Sequence, residues 1–241
     1  MATTVKIGEV AKEILNSFAD ISKKQGLRKD YLLAHGDSKI WTAIYELPEG
    51  EVELEEDIVI VNIPQFLQVV GLLDQEKNRI QLDENGVLTL QDKSKQIRYS
   101  TSPINAVQPR SKKGEEFFDQ STQITELVLD EANLDEIKKI MKTLNITNIY
   151  LQGKAGNIYF ILRDDITDNE VTLKMQGASN EDFKVDLPSK QPENSFLLEY
   201  LYPGIYQVQL RKGEIQGGDL YILKFTNTSV QTGKLFYFLP L

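Results

Sequence analysis

Apolar and polar positions follow two different periods along this chain, and the switch between them recurs. Ile58 to Val61 is an unbroken β-branched run, which suits a strand buried on both faces. Asn62 follows as a helix N-cap, and Pro64 falls in the first turn, where its missing N–H costs nothing. Phe66, Leu67, Val70 and Leu73 then recur at helical spacing, with Gln65 and Gln68 on the other side. Ile80, Leu82, Val87, Leu88 and Leu90 flank Glu84-Asn85-Gly86, a hairpin turn signal. The predicted order is strand, short helix, hairpin.

That unit is repeated. Near the C-terminus, FKVDLPSKQPENSFLLEYLYPGIYQVQLRKGEIQGGDLYILKFT predicts a strand, a short helix at about Ser195–Leu201, and two strands around a Gly-rich turn. Two further helix-led units precede these. In the first, an amphipathic helix over residues 5–21 carries Ile7, Val10, Ile14 and Phe18 on its apolar face, widened by Ala11, Leu15 and Ile21. Lys12 and Asn16 lie opposite, with Glu9 and Glu13. The strands YLLAHG and KIWTAIYEL follow it. In the other, a helix at about Asn133–Leu144, with Asp130 and Asn133 as candidate caps, carries Leu134, Ile137, Met141 and Leu144 in one stripe. At roughly 100° per residue, Lys139 and Lys142 fall on the opposite side. Strands Asn148–Gln152 and Asn157–Arg163 surround Gly153-Lys154-Ala155-Gly156, a hairpin loop without the glycine spacing or Lys-Ser/Thr ending of a P-loop. Four strand–helix–strands units thus make two halves of similar length, and this repetition outweighs any single residue.

Residues 101–123, TSPINAVQPRSKKGEEFFDQSTQ, interrupt the pattern. They hold Pro103, Pro109, Gly114 and a basic cluster, show no periodicity, and read as the linker between the halves. Phe117 and Phe118 are unusual there; they either pin the linker onto a domain or help form a partner groove. The tail LFYFLPL reads as a final strand or a mobile hydrophobic segment.

Composition narrows the class. The chain has 241 residues, enough for one large or two ordinary domains, and 41% are hydrophobic. No apolar run approaches the roughly 20 residues of a spanning helix, so no membrane is expected as a partner. MATTVKIGEV has no apolar signal core and is expected to be the mature start. Cysteine is absent, which removes disulfides, thiolate metal sites and cysteine nucleophiles. The net charge of −9 is the opposite of a usual nucleic-acid footprint, so the placement of the 27 basic residues matters more than the total.

Enzymatic chemistry has little to work with. His35 is the only histidine, beside Gly36 at a strand end, and one histidine without cysteine gives no zinc site. Asp83-Glu84-Asn85-Gly86 resembles a calcium loop in composition alone. Asp164-Asp165 and Asp168-Asn169-Glu170 form an acidic turn between strands. Trp41 reads as core or partner packing. No catalytic residue, metal site or cofactor is expected.

ILNSFADI, NIPQFLQVVGLLDQEKNRIQL, TELVLDEANLDEIKKIMKTLNITNIYLQGKAGNIYFIL and LYPGIYQVQL, in this order around the linker, resemble the DNA polymerase sliding clamps of T4-like bacteriophages. The resemblance covers most of residues 5–225. The fourth helix is shorter here, and the tail after about Asn227 has no counterpart. The resemblance implies an α+β DNA-clamp fold of two similar domains, 1–108 and 123–241, joined by a linker over 109–122. Each domain would hold two β-α-β-β-β units, and three identical subunits would form a closed ring. It implies a non-enzymatic clamp that encircles double-stranded DNA, is placed there by an ATP-dependent clamp loader, tethers the replicative DNA polymerase and serves other DNA-acting proteins. It further implies a place in the cytoplasm of the infected bacterial host. A ring that holds DNA by topology needs few phosphate contacts, which reconciles the acidic charge with such a role. Carried over by position, Lys139, Lys142, Lys12 and Asn16 face the DNA, although Asn16 stands where a basic residue is expected. The implied partner groove near the linker draws on Ile104, Val107, Phe117 and Phe118, and on Leu235 and Phe236 of the tail. The alternatives are a β-rich structural or virion component without a DNA role, and a small hydrolase using the acidic turns.

Overall fold

The computed structural model describes residues 3–36, 41–53, 57–73, 79–83, 85–102, 104–187 and 197–241. Lys39 and Ile40, Glu84 of the hairpin turn, and the expected helix start at Ser195 lie outside them. The chain divides into two compact units. The first comprises Met1–Ala34, Ala43–Arg110 and Thr232–Lys234; the second comprises His35–Thr42, Ser111–Gln231 and Leu235–Leu241.

In the first unit the elements run β1 (Thr3–Ile7), α1 (Glu9–Ile21), β2 (Gln25–Leu27), β3 (Tyr31–His35), β4 (Thr42–Glu46) and the short β5 (Val52–Glu53). They continue β6 (Ile58–Ile60), α2 (Ile63–Gly71), β7 (Arg79–Leu82), β8 (Val87–Gln91) and β9 (Gln96–Ser100). The helix expected over 5–21 therefore starts later. Residues 3–7 are a strand, antiparallel to β7 and β5, because their paired backbone groups outcompete an extra helical turn. Gly8 offers α1 no side-chain cap. The Glu51 carboxylate takes that place, accepting from Ala11 N–H at 2.9 Å, where an anion also suits the helix dipole. The α2 cap is as expected: Asn62 Oδ1 accepts from Gln65 N–H, with proline in the first turn. One sheet has the order β5-β1-β7-β8-β9, and β4, β3, β2 and β6 lie side by side in another. Ile14, Leu15, Phe18, Ile63 and Phe66 of the two helices are fully buried in the core.

In the second unit a helix α3 (Lys112–Gln120) precedes β10 (Thr122–Leu129), α4 (Glu131–Leu144), β11 (Asn148–Lys154), β12 (Asn157–Arg163) and β13 (Glu170–Ser179). Then come β14 (Phe183–Leu187), a 3₁₀ helix Leu197–Tyr200, β15 (Tyr206–Ile215), β16 (Gly218–Asn227) and β17 (Lys234–Pro240). The strand order is β14-β11-β12-β13-β10-β15-β16-β17, antiparallel in every pairing from β14 to β17. Alternate residues point inward, as in Tyr206, Val208 and Leu210 of β15, so the sheet covers its core with one face. β13 changes partner along its length: Glu170–Met175 pair with β12, and Gln176–Ser179 pair with β10. Gly177 sits at this crossing with φ +152°, and a Cβ there would lie 2.6 Å from the Glu126 carbonyl oxygen.

Both units carry the β-α-β-β-β plan twice, as β1-α1-β2-β3-β4, β6-α2-β7-β8-β9 and β10-α4-β11-β12-β13, with the 3₁₀ helix standing for the helix between β14 and β15. One reading is corrected, for the linker, and of the two readings of the tail the strand holds. The aperiodic linker contains the 3₁₀ turn Ile104–Ala106 and the helix α3, whose N-cap Ser111 accepts from Gly114 N–H. The tail is a strand, paired with β16 from Asn227↔Leu235 to Ile222↔Pro240.

Candidate functional site

In α4, Asp130 caps the first turn by accepting from Asn133 N–H at 2.8 Å, so Asp130 is the cap and Asn133 its donor. Leu134, Ile137 and Met141 are buried beneath the helix, each stabilising it by about 1.5–3 kcal/mol. That burial fixes which residues face outward. Lys139 and Lys142 are exposed, and among the described residues neither makes an ion pair. Asp135 and Glu136 share the exposed face. Lys138 is different: half-buried, it donates through Nζ to the Leu201 carbonyl at 3.3 Å. Burial pulls its pKa down, opposed by Asp135 and Glu199.

The matching face of α1 is acidic. Lys12 Nζ lies 2.6 Å from Glu9 Oε1, so its charge is already neutralised. Asn16 is exposed, with Glu9, Glu13 and Asp20 around it. Asp20 went unweighed in the sequence pattern, although it sits four positions beyond Asn16 on the same face. The exposed side chains Gln65 and Gln68 of α2 are uncharged. A pair of unpaired cations therefore stands on one helix of the second unit, whereas among the described residues the single cation on the helices of the first, Lys12, is paired with Glu9. Two cations can hold a phosphate loosely and cannot anchor a duplex.

The residues expected to wall a partner groove are mostly packed away. The Ile104 side chain lies outside the described residues. Val107 is buried in the first unit, 3.7 Å from the position a Cβ would take on Gly26. Phe118 is 1% exposed, edge-on to Phe238 with centroids 5.5 Å apart. Leu235 and Phe236 are buried within β17. Phe117 alone of the aromatic pair is half-exposed. Two residues not foreseen hold this arrangement. Arg211 lies over the Phe118 ring at 4.7 Å and donates through Nη1 to the Phe118 and Asp119 carbonyls, closing the C-terminus of α3. Lys224 Nζ lies 5.3, 4.9 and 5.1 Å from the ring centroids of Phe118, Phe236 and Phe238. Their signal was faint: each is a cation on the outward phase of an otherwise alternating strand.

The acidic turn is satisfied by its own neighbours. Asp164 accepts from the Thr167 hydroxyl and, at 3.0 Å, from Ile166 N–H, and these bonds hold its pKa down. Arg163 pairs with Asp165 and Asp168. Among the described residues no group of three His, Cys, Asp or Glu side chains is gathered as a metal would need. His35 Nδ1 lies 3.1 Å from Thr42 Oγ1. Trp41 is buried and stacked near Tyr200 at 6.0 Å.

No protein-family model matches the chain, and no curated protein sequence matches it. Solved structures do. PCNA from Thermococcus kodakaraensis matches with a TM-score of 0.60 at 15% identity, over 100% of each chain. A. fulgidus PCNA, with the C-terminal region of FEN-1 bound, matches with a TM-score of 0.60 at 11% identity, over 100% of this chain and 98% of that one. The PCNA2–PCNA3 complex from Sulfolobus tokodaii gives 0.62 at 13% identity, over 100% of this chain and 99% of that one. The fold is that of PCNA-type sliding clamps, α+β with two similar halves.

Proposed function

We propose that this chain is a sliding clamp: a non-enzymatic ring of three identical subunits that encircles duplex DNA and tethers DNA-acting proteins. One observation carries the reading. The β-α-β-β-β unit recurs through the chain, and its arrangement matches PCNA-type clamps over the whole length. Free sheet edges support closure. Among the described residues, β9 is paired on one side only, and the first half of β13, Glu170–Met175, is paired only with β12. Such edges call for partners. The β9 edge and the turn before it expose Lys93, Lys95 and Arg98, whereas the β13 edge exposes Glu170 and Lys174, with Asp168 beside it already paired to Arg163. A head-to-tail contact between two such edges that closes makes a ring.

In this reading Lys139 and Lys142 face the DNA, while Lys12 and Asn16 contribute no net charge. The hold is topological rather than electrostatic. The polymerase of a T4-like phage and an ATP-dependent loader are the partners the sequence resemblance suggests, in the cytoplasm of an infected bacterium. An acidic α1 face would equally suit a β-rich structural component without a DNA role, and one experiment separates the two. The chain is incubated with linear duplex DNA, whose ends are then blocked by streptavidin, and retained protein is measured after a high-salt wash. A clamp stays on blocked DNA and leaves unblocked DNA. Changing Lys139 and Lys142 to Glu should reduce severalfold the amount of protein that threads onto the DNA at low salt, without unfolding, since both lie off the buried stripe, and should leave the retention of threaded protein unchanged. Equal loss from blocked and unblocked DNA would defeat the proposal.

A further inference from the structure

The second unit holds a cleft of about 500 Å³ between the C-terminal end of α3 and the β15–β16 hairpin. Phe117 supplies its aromatic wall, and Ser121, Gly213, Lys212, Glu214 and Glu181 lie around it. The glycine is required: a Cβ on residue 213 would come 2.4 Å from Phe117 Cζ and 2.6 Å from Ser121 Oγ. Its absence lets the half-exposed Phe117 ring lie directly on the strand.

The charges of the cleft do not balance. Lys212 Nζ is 2.8 Å from Asp219 Oδ2, and that bond raises the pKa of the lysine, so this cation is spent within the wall. Glu181 and Glu214 are both exposed and, among the described residues, have no ion-pair partner. Lys212 also feels Glu181, yet one cation faces three carboxylates, and an aromatic face beside carboxylates in excess recognises a guanidinium or ammonium, through cation–π contact and charge-assisted hydrogen bonds. The same unit already uses this pairing internally, with Arg211 over Phe118 at 4.7 Å. Nucleic acid and other polyanions are repelled by the same carboxylates.

We propose that this cleft docks an arginine-bearing peptide segment of a partner protein, one guanidinium lying on Phe117 between Glu181 and Glu214. Arginine is preferred to lysine because its planar group stacks and forks. The proposal goes beyond the clamp reading and does not depend on it, because the cleft lies wholly within the second unit. A fluorescein-labelled hexapeptide of alternating glycine and arginine, titrated with the full chain and followed by anisotropy, tests it. The same peptide with glutamate in place of arginine should not bind. Changing Glu181 and Glu214 together to Gln should weaken the arginine peptide about tenfold or more. Phe117→Leu should weaken it further. Asp135→Asn with Glu136→Gln, which removes two carboxylates from α4, should leave affinity unchanged. The proposal is overturned if the arginine peptide does not bind, if the glutamate peptide binds as well, or if the α4 variant loses as much affinity as the cleft variant. The carboxylate variants are exposed and keep the fold, so a failure of Phe117→Leu to fold leaves the test intact.

Discussion

Glu126 accepts from two glutamine side chains, Gln207 Nε2 on Oε1 and Gln209 Nε2 on Oε2, each at 2.8 Å. These bonds, Gln209 first, favour the ionised form and hold its pKa below the ordinary carboxylate value. A group whose folded pKa is depressed contributes stability that is present above its unfolded value and is lost as pH falls through the folded one. At pH 7, Glu126→Gln should lower the urea midpoint, and the gap to the parent should close as the pH drops below about 4. A gap independent of pH would show that the carboxylate charge does not matter. At this scale the sequence was readable where one helix decided the answer. The helical phase of Lys139 and Lys142 against Leu134, Ile137 and Met141 correctly put both outside. It was less readable where a neighbour decided. Phe117 and Phe118 are adjacent in α3, yet one is half-exposed and the other 1% exposed, because Arg211, Lys224 and Phe238 stand under the second.

β17 shows how an element acquires its role from its partner strand. LFYFLPL alone is compatible with a strand or a loose tail. Pairing with β16 makes it a strand, placing Leu235, Tyr237 and Leu239 in the core. Tyr237 also accepts from Tyr202 N–H at 3.1 Å. Losing a buried aromatic alone costs about 3–5 kcal/mol, a large share of the roughly 5–15 kcal/mol that a domain has. Deleting residues 236–241 should therefore lower the melting temperature by about 10 °C or more, or leave the second unit unfolded. An unchanged melting curve would mean that the strand is dispensable. α3 was hidden for a related reason. KKGEEFFDQ has two adjacent apolar residues and no stripe, so its helix depends on the Ser111 cap, on Arg211 at its far end and on the docking of Phe118. The β1 strand was hidden because Val5 and Ile7 fit a strand and a helix equally well until β7 provides a partner.

For the whole molecule, repetition was the strongest signal, and the fold follows it: strand, helix and strands recur in both units. What pattern alone did not reveal was charge placement. With an acidic face on α1 and a mixed face on α4, electrostatics alone would not keep DNA bound, so the proposed function depends on closing a ring through the β9 and β13 edges. Closure is therefore the claim to measure. Size-exclusion chromatography with light scattering, run over a wide concentration range, should give about 82 kDa, three times the 27.4 kDa of the chain. Changing Lys95 and Arg98 to Glu should shift that mass towards the monomer. A monomer at every concentration, or a two-fold dimer, would contradict the account.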